Sequence, residues 1–214
     1  MPEIIKGRNI KVEVAATFGA AKVVTAITQA SPGVATCAAH AMANGTCGYF
    51  KNVEGMAQLE GQAARVANQA AGTFELQGLN TTNFPAFTDQ SDFFPAASWL
   101  TLAESTSYQI PDGSADKLDT TALIDVVKKE ENGFLAAQSL TLNVHAKTAP
   151  SAAMALIESA AQAGGNVLIR ITLNDGAVRI AYGEPSTAGE NVQKGQTGTG
   201  SLTISVKGFV LKLA

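Results

Sequence analysis

Charged and aromatic residues are both scarce in this chain. Asp, Glu, Lys and Arg make up 15 % of its 214 residues and Phe, Trp and Tyr 6 %, whereas 46 % are hydrophobic. Disordered chains have the opposite balance, so a folded, globular protein is predicted. The net charge of −3 excludes a basic field that would hold nucleic acid tightly. No apolar run approaches the ~20 residues that span a bilayer, and the first residues lack the apolar core of a signal peptide.

Cysteine and histidine are rarer still, with two of each. Two cysteines do not make a disulfide framework, which favours synthesis in a reducing cytoplasm. Cys37, His40 and Cys47 nevertheless fall within 11 positions of one another, which raises the question of a metal or thiol site. A structural zinc site needs four ligands and a catalytic site at least three, yet His145 is remote in sequence and residues 23–50 contain no acid.

A cysteine nucleophile would need a base and a group that orients the base, and only His40 is near. The surrounding sequence instead alternates as strand, turn and strand, with ANGT at 43–46 as the turn. Buried free cysteines usually act as small apolar side chains. We therefore expect this stretch to be structural and to bind no metal.

Five short elements between residues 20 and 90 follow one another in a recognisable order. They are PGV at 32–34, AHAM at 39–42 with Gly45, GMAQLEG at 55–61, TFEL at 73–76 and GLNTT at 78–82. Their order and spacing resemble a small β-barrel repeat module of many phage tail proteins, which is related to a domain of ubiquitin-activating enzymes. The chain departs from that pattern at Ala41, where glycine is usual, and at Thr46 and Gly48, where aspartate and valine are usual. In that family the histidine is a structural turn residue.

Alternation of apolar and polar residues predicts most strands outside this module. We expect strands at 8–16, 99–108 and 135–147, two strands around a type I′ turn at NDG 174–176, and a last strand at 202–213 with a bulge at Gly208. A helix is predicted over 150–163, because Pro150 suits a first turn and two glycines follow the apolar stripe. Residues 83–98, rich in Phe and Pro, are expected to connect the module to the second strand.

Residues 109–131 show no strong period and carry six acids and three lysines. A loop of this length is usually functional or disordered. A solvated surface loop and an interaction loop remain equal alternatives for it.

One face of the predicted sheet is apolar and can take the helix, whereas the other collects polar side chains. The polar set is Lys11, Glu13, Thr141, Asn143, His145, Lys147, Arg170, Arg179, Ser205 and Lys207. Nothing in it pairs carboxylates, builds a catalytic triad or cradles phosphate, and the glycine-rich run at 195–200 is a weak phosphate-loop signal. We predict no enzymatic activity, no catalytic residue, no metal and no cofactor.

The remaining elements resemble, in their order, the tail tube protein of long non-contractile-tailed phages (siphophages). The resemblance is carried by LAES at 102–105 with the acidic loop after it, the helix at 151–163, the hairpin at 170–179, and YG at 182–183 before the last strand. It implies a mainly β fold: a barrel-forming sheet with one packed helix, built from residues 1–18 and 92–214, with a small β-barrel module inserted at 19–91.

The resemblance also implies a structural virion protein made in the bacterial host cytoplasm. Its copies would form hexameric rings that stack into a hollow tube conducting double-stranded DNA, with the tape measure, tail terminator and tail tip proteins as further partners and no membrane insertion. The polar set would line the channel. Contacts between rings would come from Asp112, Asp116, Asp119, Leu123, Ile124, Val126 and Val127.

A different tail component, such as a tip or fibre protein, or a module that binds a partner or carbohydrate, is the alternative. Such a module would be expected to display aromatic rings in a groove, and the chain has one Trp and three Tyr.

Overall fold

The computed structural model describes residues 9–111 and 113–214. It is mainly β, as predicted. The first strands are β1 (Lys11–Phe18), β2 (Lys22–Val24), β3 (Ala26–Ile27), β4 (Val34–Thr36), β5 (Cys47–Lys51), β6 (Ala63–Ala67) and β7 (Thr73–Leu76), with a short 3-10 turn at Ala57–Leu59. The next are β8 (Ser91–Thr101), β9 (Ser105–Gln109), β10 (Ala115–Asp119), β11 (Glu130–Leu135) and β12 (Ser139–His145). Helix α1 (Ala152–Ala163) precedes β13 (Val167–Thr172), β14 (Val178–Pro185), β15 (Thr199–Val206) and β16 (Leu211–Leu213). No helix among the described residues is long and apolar enough to cross a membrane.

Six strands form the part of the sheet that carries the helix, in the order β1-β13-β14-β15-β12-β9. Every neighbouring pair in this order is antiparallel. Ala153, Met154 and Ile157 of α1 are buried against the apolar face of these strands, which includes Leu142 and Ile169. This face is therefore the main core, as the alternation pattern predicted.

Capping residues set both termini of the helix. Ser151 has extended backbone geometry, and its Oγ accepts the Met154 N–H, so the first helical residue is Ala152. Gly164 closes the helix with a φ of +63°, a conformation that favours glycine. The predicted helix is thus confirmed, with its start two residues later.

The turn between β13 and β14 differs from the predicted type I′ turn. The Gly176 N–H donates to the Leu173 carbonyl, the Leu173 N–H donates to the Ala177 carbonyl, and among the three loop residues only Gly176 has a positive φ, at +88°. This is a three-residue loop, a type I turn followed by a left-handed glycine.

The number of loop residues decides which side chains of the hairpin share a face. Because the loop has three residues, Arg170 pairs with Ile180, and Arg179 pairs with Ile171. Residues that pair directly lie on the same face, so Arg170 and Arg179 point to opposite sides of the sheet. The prediction that both belong to the polar face is wrong, since Arg179 lies on the side of the core residue Ile171.

A single continuous strand, β8, replaces the predicted connector and part of the predicted strand at 99–108. Its first half pairs with β2 and β5, and its second half pairs with β1. The strand ends because Leu102 and Glu104 turn inward and are buried, and the chain resumes as β9 at Ser105.

Residues 19–91 share β8 and part of a core with the rest of the chain. A cluster of buried residues combines Cys47 and Ala63 with Leu168, Ile180 and Leu213. These last three lie on the face opposite the helix, at the β1-β13-β14 end of the sheet. The module-like strands β5 and β6 therefore cover that end of the predicted polar face.

The bulge predicted at Gly208 is present as a wider interruption, which divides the predicted strand 202–213 into β15 and β16. β15 pairs with the end of β14 and β16 with its start, and four residues between Val206 and Leu211 oppose two residues of β14. Gly208 leaves room for the side chain of Gln62, whose Oε1 accepts the Phe209 N–H at 2.9 Å.

Residues 113–137, hereafter the arm, are not the irregular loop that the sequence suggested. They contain an antiparallel hairpin of β10 and β11, which forms a sheet of its own. Side chains order its loop, since the Asp119 carboxylate accepts the Thr121 N–H and the Asp125 carboxylate accepts the Ala122 N–H. Asp112 lies outside the described residues.

Glu104 ties the turn after β8 to the start of the helix. Its carboxylate is 3 % exposed and accepts the Ser151 N–H and the Ser151 Oγ–H, each at 2.8 Å, while Lys147 Nζ lies 3.6 Å away. Burial raises the pKa of Glu104. The two hydrogen bonds from Ser151 and the Lys147 charge lower this pKa by more than burial raises it, so the net pKa lies below its ordinary value of 4.5. The buried carboxylate therefore stabilises the fold in its charged form.

We predict that Glu104→Gln lowers the free energy of unfolding at pH 7 by about 1–3 kcal/mol, because charge-assisted bonds to the helix start are weakened. Because the folded pKa is the lower one, this stabilisation is present above pH 4.5 and is lost as the pH falls through the folded pKa. Urea unfolding of the variant should therefore show a smaller stability loss than wild type between about pH 5 and pH 3. Glu190→Gln, in an exposed loop, is the control. If the free energy of unfolding falls equally with pH in wild type and Glu104→Gln, the assignment is contradicted.

Candidate functional site

His40 and the two cysteines do not form one site. The His40 ring is 1 % exposed, with Nδ1 accepting the Met42 N–H at 3.0 Å and Nε2 donating to the Ala70 carbonyl at 2.8 Å. Both thiols are buried, which raises their pKa values, and Cys37 and Cys47 belong to different hydrophobic clusters. The described residues contain no group of three potential metal-ligating side chains. The geometry assigns His40 a structural role, in which it connects two turns of the module.

The backbone on both sides of His40 is strained. Ala39 and Ala41 each have a φ of +51°, in the left-handed region where a Cβ costs about 1–2 kcal/mol. In the repeat module that residues 20–90 resemble, glycine is usual at the position of Ala41, and glycine has no such steric cost. The turn therefore forms although the Cβ atoms of Ala39 and Ala41 are sterically unfavourable there.

We predict that Ala41→Gly raises the free energy of unfolding by about 0.5–1 kcal/mol, because the relief of strain exceeds the gain in freedom of the unfolded chain. Ala38→Gly is the matched control: Ala38 is also exposed but has no positive φ, so its replacement should lower stability by about 0.5–1 kcal/mol. Thermal or urea unfolding measures both, and a destabilised Ala41→Gly would contradict the strain argument.

Part of the predicted polar face carries an ion cluster around the buried carboxylate of Glu13. Glu13 is 4 % exposed, and its carboxylate binds Lys11 Nζ at 2.7 Å and Arg170 Nη2 at 2.7 Å. The Arg170 guanidinium also lies 4.1 Å from the ring centroid of Trp99. Burial raises the pKa of Glu13. Lys11 and Arg170 lower this pKa by more than burial raises it, so the net pKa is below its ordinary value. Glu13 and Arg170 thus hold β1, β8 and β13 together.

The other end of the same face is open and carries mostly neutral polar side chains. This surface, the hydroxyl face, consists of Ser107, Gln109, Ser139, Thr141, Asn143, His145, Thr199, Ser201, Thr203 and Ser205 on β9, β12 and β15. Leu140, Leu142 and Val144 lie behind it in the core. Asn143 Nδ2 donates to Ser107 Oγ at 2.8 Å, which links β12 to the last strand of the sheet. Four predicted residues, Thr141, Asn143, His145 and Ser205, are brought together here.

Two predicted lysines lie outside this set. Lys147 follows the end of β12 beside Glu104, and Lys207 lies at the bulge, where its Nζ is 3.6 Å from the Glu184 carboxylate. Sequence reasoning missed the residues that β9 and the first half of β15 contribute, because their short polar segments show no apolar alternation. Pairing with β12 is the signal that identifies them.

The arm ends in an exposed apolar tip, formed by Leu123, Ile124, Val126 and Val127. Among the described residues eight large hydrophobic side chains are exposed, and six of them lie on the arm. All four tip side chains are at least 73 % exposed. Asp116 and Asp119 lie on β10, nearer the base. A contiguous apolar patch on a soluble surface marks an interaction site.

Comparison with known proteins assigns the family. The model of the family described as phage tail tube protein, TTP, matches residues 54–213, and no curated protein matches the chain. The match takes in β6 and β7 and every later strand, together with the helix, the hydroxyl face and the arm. Because it spans well over half of the chain, this protein belongs to the phage tail tube protein family and is a structural, non-enzymatic component of the virion tail.

Proposed function

We propose that this chain forms the tube of a long non-contractile phage tail: six copies close into a ring, and rings stack into a hollow channel through which double-stranded DNA leaves the capsid. Family membership supports a tail tube protein. The observation that carries the finer proposal is the hydroxyl face, an open polar surface at the unpaired end of the sheet. The tape measure, terminator and tail tip proteins are the further partners that this role requires, and the host cytoplasm is the place of synthesis.

The edge of the sheet supports ring formation. Strand β9 ends the strand order and has β12 as its neighbour among the described strands. An unpaired edge presents free N–H and C=O groups that another chain can pair with. When one edge of a copy pairs with a different edge of the next, the contact is heterologous and closes into a ring if the rotation allows it.

The chemistry of the hydroxyl face suits a channel wall. Serine, threonine and asparagine side chains are wetted by water but carry no charge, whereas each cation on the wall would add a phosphate contact. We assign Thr141, Asn143, His145 and Ser205 to the channel, with Lys147 and Lys207 near its margins. Glu13 and Arg170 belong to the covered end of the face, whereas Lys11 beside them is exposed and Arg179 points to the opposite side.

Residues 19–91 form the accessory module of this proposal and lie outside the channel. They cover the β1-β13-β14 end of the sheet. A twist of about 20–25° per strand turns that end away from β12 by about 80–100°. The module therefore leaves the hydroxyl face free to meet the channel.

Negative-stain microscopy of the purified protein tests the proposal, and the tip provides the matched variant. Wild type should form tubes or rings, whereas a monomer would favour another tail component or a binding module. Ile124→Ser combined with Val127→Ser should abolish tube growth while the subunit stays folded, because both side chains are exposed in the single chain and are needed between rings. Val192→Ser, also at an exposed apolar residue but outside the arm, is the control. Tubes of normal length from the double variant would exclude the tip from ring stacking.

Thiol labelling tests the channel assignment. Asn143→Cys should react with a bulky maleimide in the free subunit, where the position is exposed, and should be protected in intact tubes, because the reagent cannot enter. Gln69→Cys on the exposed surface of the module should react in both states. The native thiols are buried and contribute little background. Rapid labelling of Asn143→Cys in tubes would place the hydroxyl face elsewhere.

A further inference from the structure

The bulge between β15 and β16, residues 207–210, is bonded by two parts of the chain that are far apart in sequence. Residues 19–91 reach it through Gln62, and the arm reaches it through Gln138, the residue that directly follows the arm. Both are glutamines, whose side-chain amide can donate and accept hydrogen bonds at the same time. Residues 19–91 and the base of the arm therefore meet at one short piece of backbone.

Gln62 is fully buried and binds the backbone of one bulge residue in both directions. Its Oε1 accepts the Phe209 N–H at 2.9 Å, and its Nε2 donates to the Phe209 carbonyl at 3.1 Å. A Cβ at Gly208 would overlap this Oε1, so the glycine allows the close approach. The Phe209 ring also packs against the buried cluster that contains Phe50 and Leu59. Residues 19–91 thus fix both the backbone and the side chain of Phe209.

Gln138 spans the same bulge from the base of the arm. Its carbonyl accepts the Val206 N–H at 3.0 Å, and its Oε1 accepts the Val210 N–H at 2.8 Å. Val210 directly follows Phe209, the residue that Gln62 holds. A displacement of the Phe209 backbone would therefore move the Val210 N–H and, with it, the side chain of Gln138.

Apolar packing does not hold the base of the arm against the bulge. A space of about 490 Å³ is open between them, lined by Leu135, Ala136 and Ala137 of the arm and by Val206 and Phe209. The three arm residues are exposed. A two-stranded hairpin also has no core of its own that would fix its direction relative to the sheet. The direction of the arm therefore depends on the hydrogen bonds at its base.

We propose that residues 19–91 set the direction in which the arm projects, with Gln62 as a positioning residue that acts through the bulge on Gln138. Residues 19–91 can serve as a fixed support, because β8 and a shared core attach them to the sheet. This role belongs to the single subunit and goes beyond the tube function. It gives residues 19–91 a purpose that does not require a ligand or a second chain.

Distances between spin labels in the free full-length subunit measure the direction of the arm. Nitroxide labels are attached to cysteines that replace Ile124 at the tip and Ser159, an exposed residue of α1. The native thiols are buried, which keeps them from reacting. Pulsed electron spin resonance then gives the distribution of the distance between tip and helix. Its width reports how firmly the arm is held.

Replacement of Gln62 tests the support directly. Gln62→Met, similar in length but without an amide, should broaden the tip-to-helix distribution by about twofold, because the hairpin then pivots at its base. Gln58→Met, at an exposed glutamine in residues 19–91, is the matched control and should leave the distribution unchanged. An unchanged distribution in Gln62→Met would overturn the proposal.

A second pair of labels, at Ser159 and the exposed Gln69, measures how firmly residues 19–91 sit on the sheet. This distribution should stay narrow in Gln62→Met, because the β8 pairing and the shared core remain. If it broadens together with the tip distribution, Gln62 holds residues 19–91 in place and does not position the arm, which would also overturn the proposal.

A second variant tests the same contact without changing Gln62. Gly208→Ala places a Cβ against the Gln62 amide and should broaden the tip distribution, whereas Gly72→Ala, where a Cβ meets open space, should not. If Gln62→Met does not fold, Gly208→Ala decides, and a narrow tip distribution in it would reject the role of residues 19–91. Tube formation, seen by microscopy, tests the proposed function separately, since these distances are measured in the single subunit.

Discussion

The double pairing of strand β8 is the constraint on which the arrangement of the molecule depends. This strand of 11 residues pairs with β2 and β5 through its first half and with β1 through its second half. Register shifts near Thr17 bend the β1-β8 pair where the two halves meet. This bend carries residues 19–91 over one end of the sheet, where Cys47 and Ala63 pack on Leu168 and Ile180. Residues 19–91 are thus anchored by backbone pairing and by a shared core.

Covering one end of the sheet divides a single face into two environments. At the covered end Glu13 is buried, and Lys11 and Arg170 together hold its pKa below the ordinary value, which favours the charged carboxylate. At the open end the side chains are neutral hydroxyl and amide groups that remain hydrated. The same strands therefore combine a tightly packed junction with an open, hydrated surface.

The arm, unlike the main sheet, does not bury its apolar side chains in a core. A two-stranded hairpin alone is marginally stable, and this one presents its apolar side chains at the tip instead of burying them. The tip side chains are therefore left in water in the single chain. In the proposed tube, burial of the tip by a neighbouring copy would stabilise the assembled state alone, because the single chain leaves the tip exposed.

The sequence by itself determined the features that depend on neighbouring residues. The glycine end of α1, the alternation of β12, the irregularity at Gly208, the structural role of His40 and the uncovered apolar tip can all be read from local patterns. Tertiary structure decided which side each polar residue faces and what covers it. One additional residue in the loop at 174–176 moved Arg179 to the opposite face from Arg170, and Glu13 is buried at the end of the sheet that residues 19–91 cover. Alternation fixes that successive side chains point to opposite sides of a strand, but the pairing partner and its register decide which side is open to water.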